Sequence, residues 1–157
     1  MSAAAATSAW MLGACGMGVG PLAIYLKGEG YEVSGWDDAT GSPMELQLAN
    51  AEIPLLRDPW AAGRAPLVVG RSSAVKPGHP ALDLATAKGV RQLRRGELLA
   101  ERVADRRFVA VCGSHGKTTT CGMIVAALAS AGADFGYVLG GLFRDPAFPP
   151  ARASATS

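Results

Sequence analysis

The sequence predicts an α/β protein built on a parallel sheet, and three observations lead to this fold class. Apolar runs of strand length alternate along the chain with segments of helical spacing, and glycine or proline separates them. The connections are short, as in right-handed crossovers between parallel strands. Two glycine-rich turns, at residues 13–20 and 113–116, each follow an apolar run and precede a helical segment, which indicates two successive α/β units.

The first unit is predicted to contain four strands and four helices. The strands are expected in "AWMLGA", "YEVSGW", "PLVVG" and "VRQL", and the helices in "PLAIYLKGEG", "SPMELQLANAE", "HPALDLATAKG" and "GELLAERVAD". The run "PLVVG" is apolar throughout, which is typical of a strand buried on both faces. In the second helix, Ser42 is a candidate N-cap, Pro43 takes the first helical position and Glu45 stands at N3, close to a capping box.

The second unit is predicted to begin with a buried strand, "RFVAVC". A long helix in "TTTCGMIVAALASAG" follows and is closed by Gly132, and "FGYVLGG" can start another strand. We therefore predict one domain over residues 1–104 and the beginning of a second over residues 105–143. Residues 144–157 are rich in proline and serine without periodicity, so we expect a disordered or non-native tail.

Composition and charge exclude several classes of protein. The 157 residues are 49% hydrophobic and 18% charged, which is a globular balance, and a net charge of +2 does not indicate a nucleic-acid partner. The basic residues between 91 and 107 alternate with acidic ones, which predicts a solvated helix face. Three cysteines without metal or disulfide spacing are expected to be reduced thiols in the cytoplasm. The first residues lack a basic n-region, so we expect no secretory signal. No apolar run reaches the roughly 18 residues that a membrane span needs, so we expect a soluble chain without a membrane partner.

The stretch "VAVCGSHGKTTT" predicts a phosphate-binding turn. Gly113 and Gly116 allow close approach of the backbone, and the helix that follows offers unpaired N–H groups to an anion. Lys117 can then reach the β- and γ-phosphates of ATP, while the Thr118 hydroxyl can bind a magnesium ion that bridges them. The loop lacks the first glycine of the usual G-x-x-x-x-G-K-[ST] pattern, and an ordinary strand-to-helix turn is the structural alternative. His115 is either a base or phosphate contact, or a polar residue facing solvent.

The first glycine turn, "LGACGMGVGPLA", is a weaker signal. Gly18, Gly20 and Ala23 match G-x-G-x-x-A, and Asp37 follows at the end of the second strand, about the 20-residue interval at which an acid meets a ribose hydroxyl. The pattern indicates a dinucleotide, a UDP-sugar, or a purely structural turn. Two phosphate turns in one chain favour a kinase or ligase over a hydride-transfer enzyme.

Several motifs together resemble the start of the Mur ligases. In chain order they are "GACGMGVGPLA", "VSGWD", "SSAVKPGHP", "LRRGELLAE", "VAVCGSHGKTTT" and "YVLGG", and they span about residues 9–143. Within the family the resemblance is strongest to the branch that joins L-alanine to UDP-N-acetylmuramate. "GACG" and "PMELQL" are instead similar to the murein peptide ligases, so the acceptor, an amino acid or a peptide, stays open.

The resemblance implies a Rossmann-like domain for the UDP-sugar, followed by the start of a P-loop ATPase domain. It implies ATP and Mg²⁺ as cofactors, and a peptidoglycan reaction in which ATP activates the muramoyl carboxylate as an acyl phosphate for attack by an amine. Lys117 would stabilise charge on the transferring phosphoryl group. The positions that match the UDP-sugar motifs are Gly13, Gly16, Gly18, Asp37, Ser72 and Ser73. The positions that match the ATP motif are Gly113, Ser114, His115, Gly116, Lys117, Thr118 and Thr119, with Thr118 also a metal ligand.

The resemblance also implies that most of the catalytic machinery lies outside this sequence. The family continues with the rest of the central sheet, further magnesium ligands and a third domain, so we expect an N-terminal fragment that is inactive alone. The helix after the lysine turn should lack neighbours on part of its apolar face, so the region after residue 105 is expected to be weakly stabilised or held by a partner chain. Two other hypotheses are a non-catalytic dinucleotide-binding module and a small P-loop phosphotransferase active unaided.

Overall fold

A four-stranded, fully parallel sheet forms the centre of the molecule, which confirms the predicted fold class. In this computed structural model, which describes residues 7–39 and 41–155, the strand order is β2-β1-β3-β4. The strands are β1 (Ser8–Leu12), β2 (Glu32–Trp36), β3 (Val68–Arg71) and β4 (Arg91–Arg94). All four coincide, within two residues, with the runs from which they were predicted.

Within the described residues five helices accompany the sheet, each close to its predicted position. They are α1 (Val19–Gly28), α2 (Pro43–Asn50), α3 (Pro80–Ala87), α4 (Arg95–Val103) and α5 (Lys117–Ser130). At the start of α2, the Ser42 hydroxyl accepts the N–H of Glu45, and the Glu45 carboxylate accepts the N–H of Gly41 at 2.7 Å. The predicted N-terminal cap is therefore confirmed. No helix in the described ranges is long and apolar enough to cross a membrane.

Both faces of the sheet are covered by helices, and β1 contributes side chains to the core on each face. Ala9 and Met11 point to the face covered by α1, α2 and Leu98 of α4, whereas Trp10 and Leu12 point to the face covered by α3. All four side chains are at most 1% exposed. A slip of one residue would exchange the two sets, so this burial fixes the register of β1.

The order of the strands locates a crevice. From β1 the chain goes to β2 on one side and then to β3 on the other side of β1. In open α/β sheets, ligands bind outside the carboxyl ends of the strands at such a reversal. The first glycine turn lies there, because it directly follows β1.

The prediction of a strand in "RFVAVC" is wrong. Residues 107–112 have no strand structure, and Val109 is 77% exposed. An apolar run becomes a strand only beside another strand that completes its hydrogen bonds, and none of the described strands pairs with this one. The chain therefore crosses from α4 to α5 as an exposed connection.

The tail also differs from expectation, because residues 144–155 were predicted to be unpacked. They contain β6 (Ala151–Arg152), which pairs antiparallel with β5 (Tyr137–Val138), and Ala151 is buried. The Asp134 carboxylate accepts hydrogen bonds from the Ser154 hydroxyl and the Ala155 N–H. A strand of two residues has no periodicity that a sequence could display. Residues 156 and 157 lie outside the described residues.

Helix α5 is largely exposed, as expected of a helix without a complete set of neighbours. Val125 is buried, but Met123, Ile124 and Leu128 are all exposed, Met123 to 61%. One small cluster, formed by Val125, Tyr137 and Leu139, supports the helix.

Candidate functional site

The first glycine turn closes directly onto β2 and onto the loop after β3. The N–H groups of Gly13 and Ala14 both donate to the carbonyl of Trp36, at 2.8 and 3.1 Å. Gly13 has a φ of +81°, and a Cβ at this position would lie 2.8 Å from Cβ of Ser72. Glycine is therefore required here both by the left-handed backbone and by close packing.

Asp37 braces the same turn from the end of β2. One carboxylate oxygen accepts the N–H of Cys15 at 2.7 Å and the other accepts the N–H of Ala39 at 3.0 Å. The Ser42 hydroxyl donates to the Cys15 carbonyl. Burial, with the nearby Asp37 charge, raises the pKa of the Cys15 thiol, which is therefore neutral at physiological pH. Asp37, predicted as a substrate contact, shapes the turn in this structure.

A cavity of about 750 Å³ opens at the carboxyl ends of β1, β3 and β4. It brings together Gly18, Ser72 and Ser73, three of the residues predicted to bind the UDP-sugar. Gly13 adjoins it through its packing on Ser72. The volume lies within the range of small-molecule sites, roughly 300–1,000 Å³. Gly16 and Asp37 are not among the residues that line it.

Three arginines that the sequence did not single out also line this cavity. They are Arg71, Arg94 and Arg95, and Glu97 is the acidic residue in the lining. The Glu97 carboxylate accepts the Arg94 N–H at 2.6 Å and so caps α4. With the N-termini of α1 and α4 at the same opening, the arrangement suits a doubly charged anion.

Two of these arginines, Arg94 and Arg95, are exposed, as expected of a solvated surface, but they also line the cavity, which that expectation did not include. Arg94 ends β4 and Arg95 begins α4, so both stand at the carboxyl edge of the sheet. Their position directly after the predicted strand "VRQL" was the signal that could have identified them. Charge alternation alone did not distinguish a site from a helix surface.

The lysine turn has the local geometry of an anion cradle. Helix α5 begins at Lys117, directly after Gly116, whose φ is +76°. The Lys117 ammonium donates to the carbonyls of Gly113, at 2.8 Å, and Ser114, at 3.2 Å, so it lies against its own turn. The first helical bond back to the turn is made by the Thr120 N–H to Gly116. The N–H groups before it belong to the first turn, where helices leave donors for other acceptors.

These residues fit the phosphates of ATP, with magnesium at the same place. The left-handed Gly116 admits no other residue without strain, and Lys117 supplies a positive charge. Thr118 is exposed and can offer one hydroxyl to a magnesium ion, whose remaining ligands are normally phosphate oxygens and water. His115 is exposed too, with Nδ1 at 3.2 Å from the Ser114 hydroxyl. The turn lies on the surface throughout.

Comparison with known proteins agrees with this architecture. Residues 10–107 match the family described as "Mur ligase family, catalytic domain". The UDP-N-acetylmuramate–L-alanine ligases of Kineococcus radiotolerans and Roseiflexus sp. are 42% and 40% identical to the chain, each over 83% of it. The chain spans only 28% of the length of either relative.

Solved structures agree with the fold. A murein peptide ligase from Psychrobacter arcticus superposes with a TM-score of 0.79 and 30% identity, over 95% of this chain and 34% of that one. A UDP-N-acetylmuramate–alanine ligase from Thermotoga maritima gives a TM-score of 0.82 over 94% of this chain and 35% of that one, and at 21% identity it supports the fold alone. The family match covers more than half of the sequence, and the chain therefore belongs to the Mur ligase family.

Proposed function

We propose that the chain carries the UDP-sugar site and the ATP turn of a ligase that joins L-alanine to UDP-N-acetylmuramate in peptidoglycan biosynthesis. The observation that carries this proposal is the cavity that unites Gly18, Ser72 and Ser73 with three arginines. A diphosphate needs positive charge and several donors that converge, and this cavity provides both. Reduced thiols at three positions suit a cytoplasmic enzyme.

In this proposal, the arginines and the N-termini of α1 and α4 hold the diphosphate of UDP-N-acetylmuramate. The Ser72 hydroxyl and the hydroxyl and N–H of Ser73 are the donors offered beside it, because the Ser72 N–H already donates to the Leu12 carbonyl at 3.0 Å. ATP supplies the phosphoryl group that activates the muramoyl carboxylate for attack by the amine. Lys117 holds the terminal phosphates and stabilises the charge that develops during transfer, while Thr118 helps to hold magnesium. We expect no ligation by the 157 residues alone, since the turn is open to water on its outer side.

A second candidate is a peptide acceptor in place of L-alanine. It is favoured by the murein peptide ligase of Psychrobacter arcticus, which is 30% identical, and by a UDP-N-acetylmuramate:L-alanyl-γ-D-glutamyl-meso-diaminopimelate ligase of Neisseria, which is 28% identical. Both candidates require the same UDP-sugar in the cavity. The exposure of the lysine turn disfavours a phosphotransferase that is active unaided, because such an enzyme excludes water from the reacting phosphate.

Calorimetry with UDP-N-acetylmuramate and with NAD tests the proposal. We expect the chain to bind UDP-N-acetylmuramate and to show no comparable affinity for NAD. Arg95→Ala should weaken binding of the UDP-sugar about tenfold or more, because a charge-assisted hydrogen bond is worth roughly 1.5–3 kcal/mol. Arg64→Ala is the matched control: Arg64 forms an exposed ion pair with Glu32 away from the cavity, and affinity should not change. Tighter binding of NAD would contradict the proposal and support a dinucleotide-binding module.

A further inference from the structure

A short segment of the chain touches both candidate sites. This segment, residues 139–141, is here called the linking segment. Leu139 is buried, and its N–H donates to the carbonyl of Pro150 at 2.9 Å. Gly140 lines the cavity of the first site. A Cβ placed on Gly141 would lie 2.8 Å from Cγ2 of Thr118, in the lysine turn's helix.

One stripe of α5 packs against this same part of the chain. The stripe contains Thr118, Cys121, Gly122 and Val125, which share one helix face at spacings of three, four and seven residues and pass from exposed at Thr118 to buried at Val125. Burial raises the pKa of the Cys121 thiol. A ring carbon of Phe143 would lie 3.4 Å from a Cβ on Gly122, and Val125 clusters with Tyr137 and Leu139. The segment from 137 to 143 is thus the surface on which the first turns of α5 rest.

The other side of this surface is fixed to the first domain. A Cβ on Gly136 would lie 3.1 Å from the ring of Tyr25 in α1, and one on Gly28 would lie 2.9 Å from Cβ of Ala153. Continuous packing therefore runs from α1, through β5 and β6, to the linking segment and on to Thr118.

We infer that Gly141 is a positioning residue for Thr118, and that its missing side chain sets where the Thr118 hydroxyl lies relative to bound magnesium. The inference rests on the proposed role of Thr118 as a magnesium ligand. Contacts below 3.0 Å do not occur for real Cβ atoms, so an alanine at 141 must move Thr118 by rotation of its side chain or by a shift of the helix start. Gly141 does not have left-handed backbone, so the same alanine causes no backbone strain.

The test compares ATP affinity with magnesium and with EDTA in the full chain. In the presence of magnesium, Gly141→Ala should bind ATP about tenfold more weakly than the unsubstituted chain. In the presence of EDTA, the two affinities for ATP should agree within about twofold, because only the magnesium ligand moves. Gly122→Ala is the control: its new methyl group meets Phe143 at an ordinary contact distance and does not touch Thr118. Thermal melting curves of both variants report folding.

A second variant keeps the inference falsifiable if Gly141→Ala disturbs folding. Thr118→Ser removes the methyl group that the new Cβ would strike and keeps the hydroxyl. Adding Gly141→Ala to Thr118→Ser should therefore cost no further affinity for magnesium–ATP. Unchanged affinity in Gly141→Ala, an equal loss in magnesium and in EDTA, or failure of this rescue would overturn the inference while the proposed function stands. No binding of ATP by the unsubstituted chain would overturn both.

Discussion

At the scale of single residues, Asp37 has a structural role that its motif does not report, while its predicted contact with the UDP-sugar stays a prediction. The sequence placed Asp37 at the interval expected of an acid that binds a ribose. In the structure both of its carboxylate oxygens accept backbone N–H groups, from Cys15 and from Ala39. Sequence spacing locates the end of a strand well, but it does not report which donors already occupy a side chain there.

Asp37→Asn tests this bracing role. An amide has one oxygen, so one of the two N–H groups loses its acceptor and faces an NH₂ group instead. We expect the free energy of unfolding to fall by about 1–2 kcal/mol and the affinity for UDP-N-acetylmuramate to fall about tenfold. Chemical denaturation and calorimetry measure the two effects.

The neighbouring Asp38 offers the matched control. It is exposed, so Asp38→Asn should leave both quantities unchanged. Weaker binding with no loss of stability in Asp37→Asn would indicate a direct ligand contact and contradict bracing.

At the scale of elements, the sequence predicted the sheet of the first unit well and the second unit poorly. The four strands β1–β4 form because each pairs with a neighbouring strand. Apolar side chains of these strands are buried in the two core clusters, one on each face of the sheet. The run "RFVAVC" has the same apolar character but no partner strand in the described residues. The apolar pattern of a segment shows that it can form a strand, and the presence of a neighbouring strand to pair with decides whether the strand forms.

Two substitutions in helix α5 measure how strongly its buried face and its exposed face each contribute to local stability. Val125→Ala removes a buried side chain from the small cluster with Tyr137 and Leu139 and should cost about 1–3 kcal/mol of local stability, because a large-to-small change in a core leaves a cavity. Met123→Ala on the exposed face of the same helix should cost close to nothing. Hydrogen exchange of the α5 amides is the measurement. Equal effects of the two substitutions would mean that Met123 is covered in solution.

At the scale of the whole molecule, the two units differ in the number of apolar side chains that they bury. The first has a cluster on each face of its sheet, whereas the second has one cluster, whose buried members within the described ranges are Val125, Tyr137 and Leu139. The predicted boundary between residues 104 and 105 stays a prediction. Near it, α4 ends at Val103, and an ion pair of 2.7 Å joins Arg106 to Glu29, the residue directly after α1.

Limited digestion with trypsin tests this difference. Arg107 begins the exposed connection, and Lys117 follows at the start of α5, so we expect cleavage at these sites first. Arg71 lies within the parallel ladder of β3 and should be cut much later. Mass spectrometry of a time course identifies the order. Digestion of both units at the same rate would contradict the expected weakness of the region after residue 105.

The central claim is that one chain holds two separate phosphate sites, and backbone amide NMR of the 157-residue chain tests it most directly. We predict that UDP-N-acetylmuramate shifts the resonances of residues 13–18, 72–73 and 95–97, and that magnesium–ATP shifts those of residues 113–119. Lys117→Ala should reduce only the second set. If magnesium–ATP left the amides of 113–119 unchanged, or if the UDP-sugar shifted none of the amides around the cavity, the claim would be contradicted.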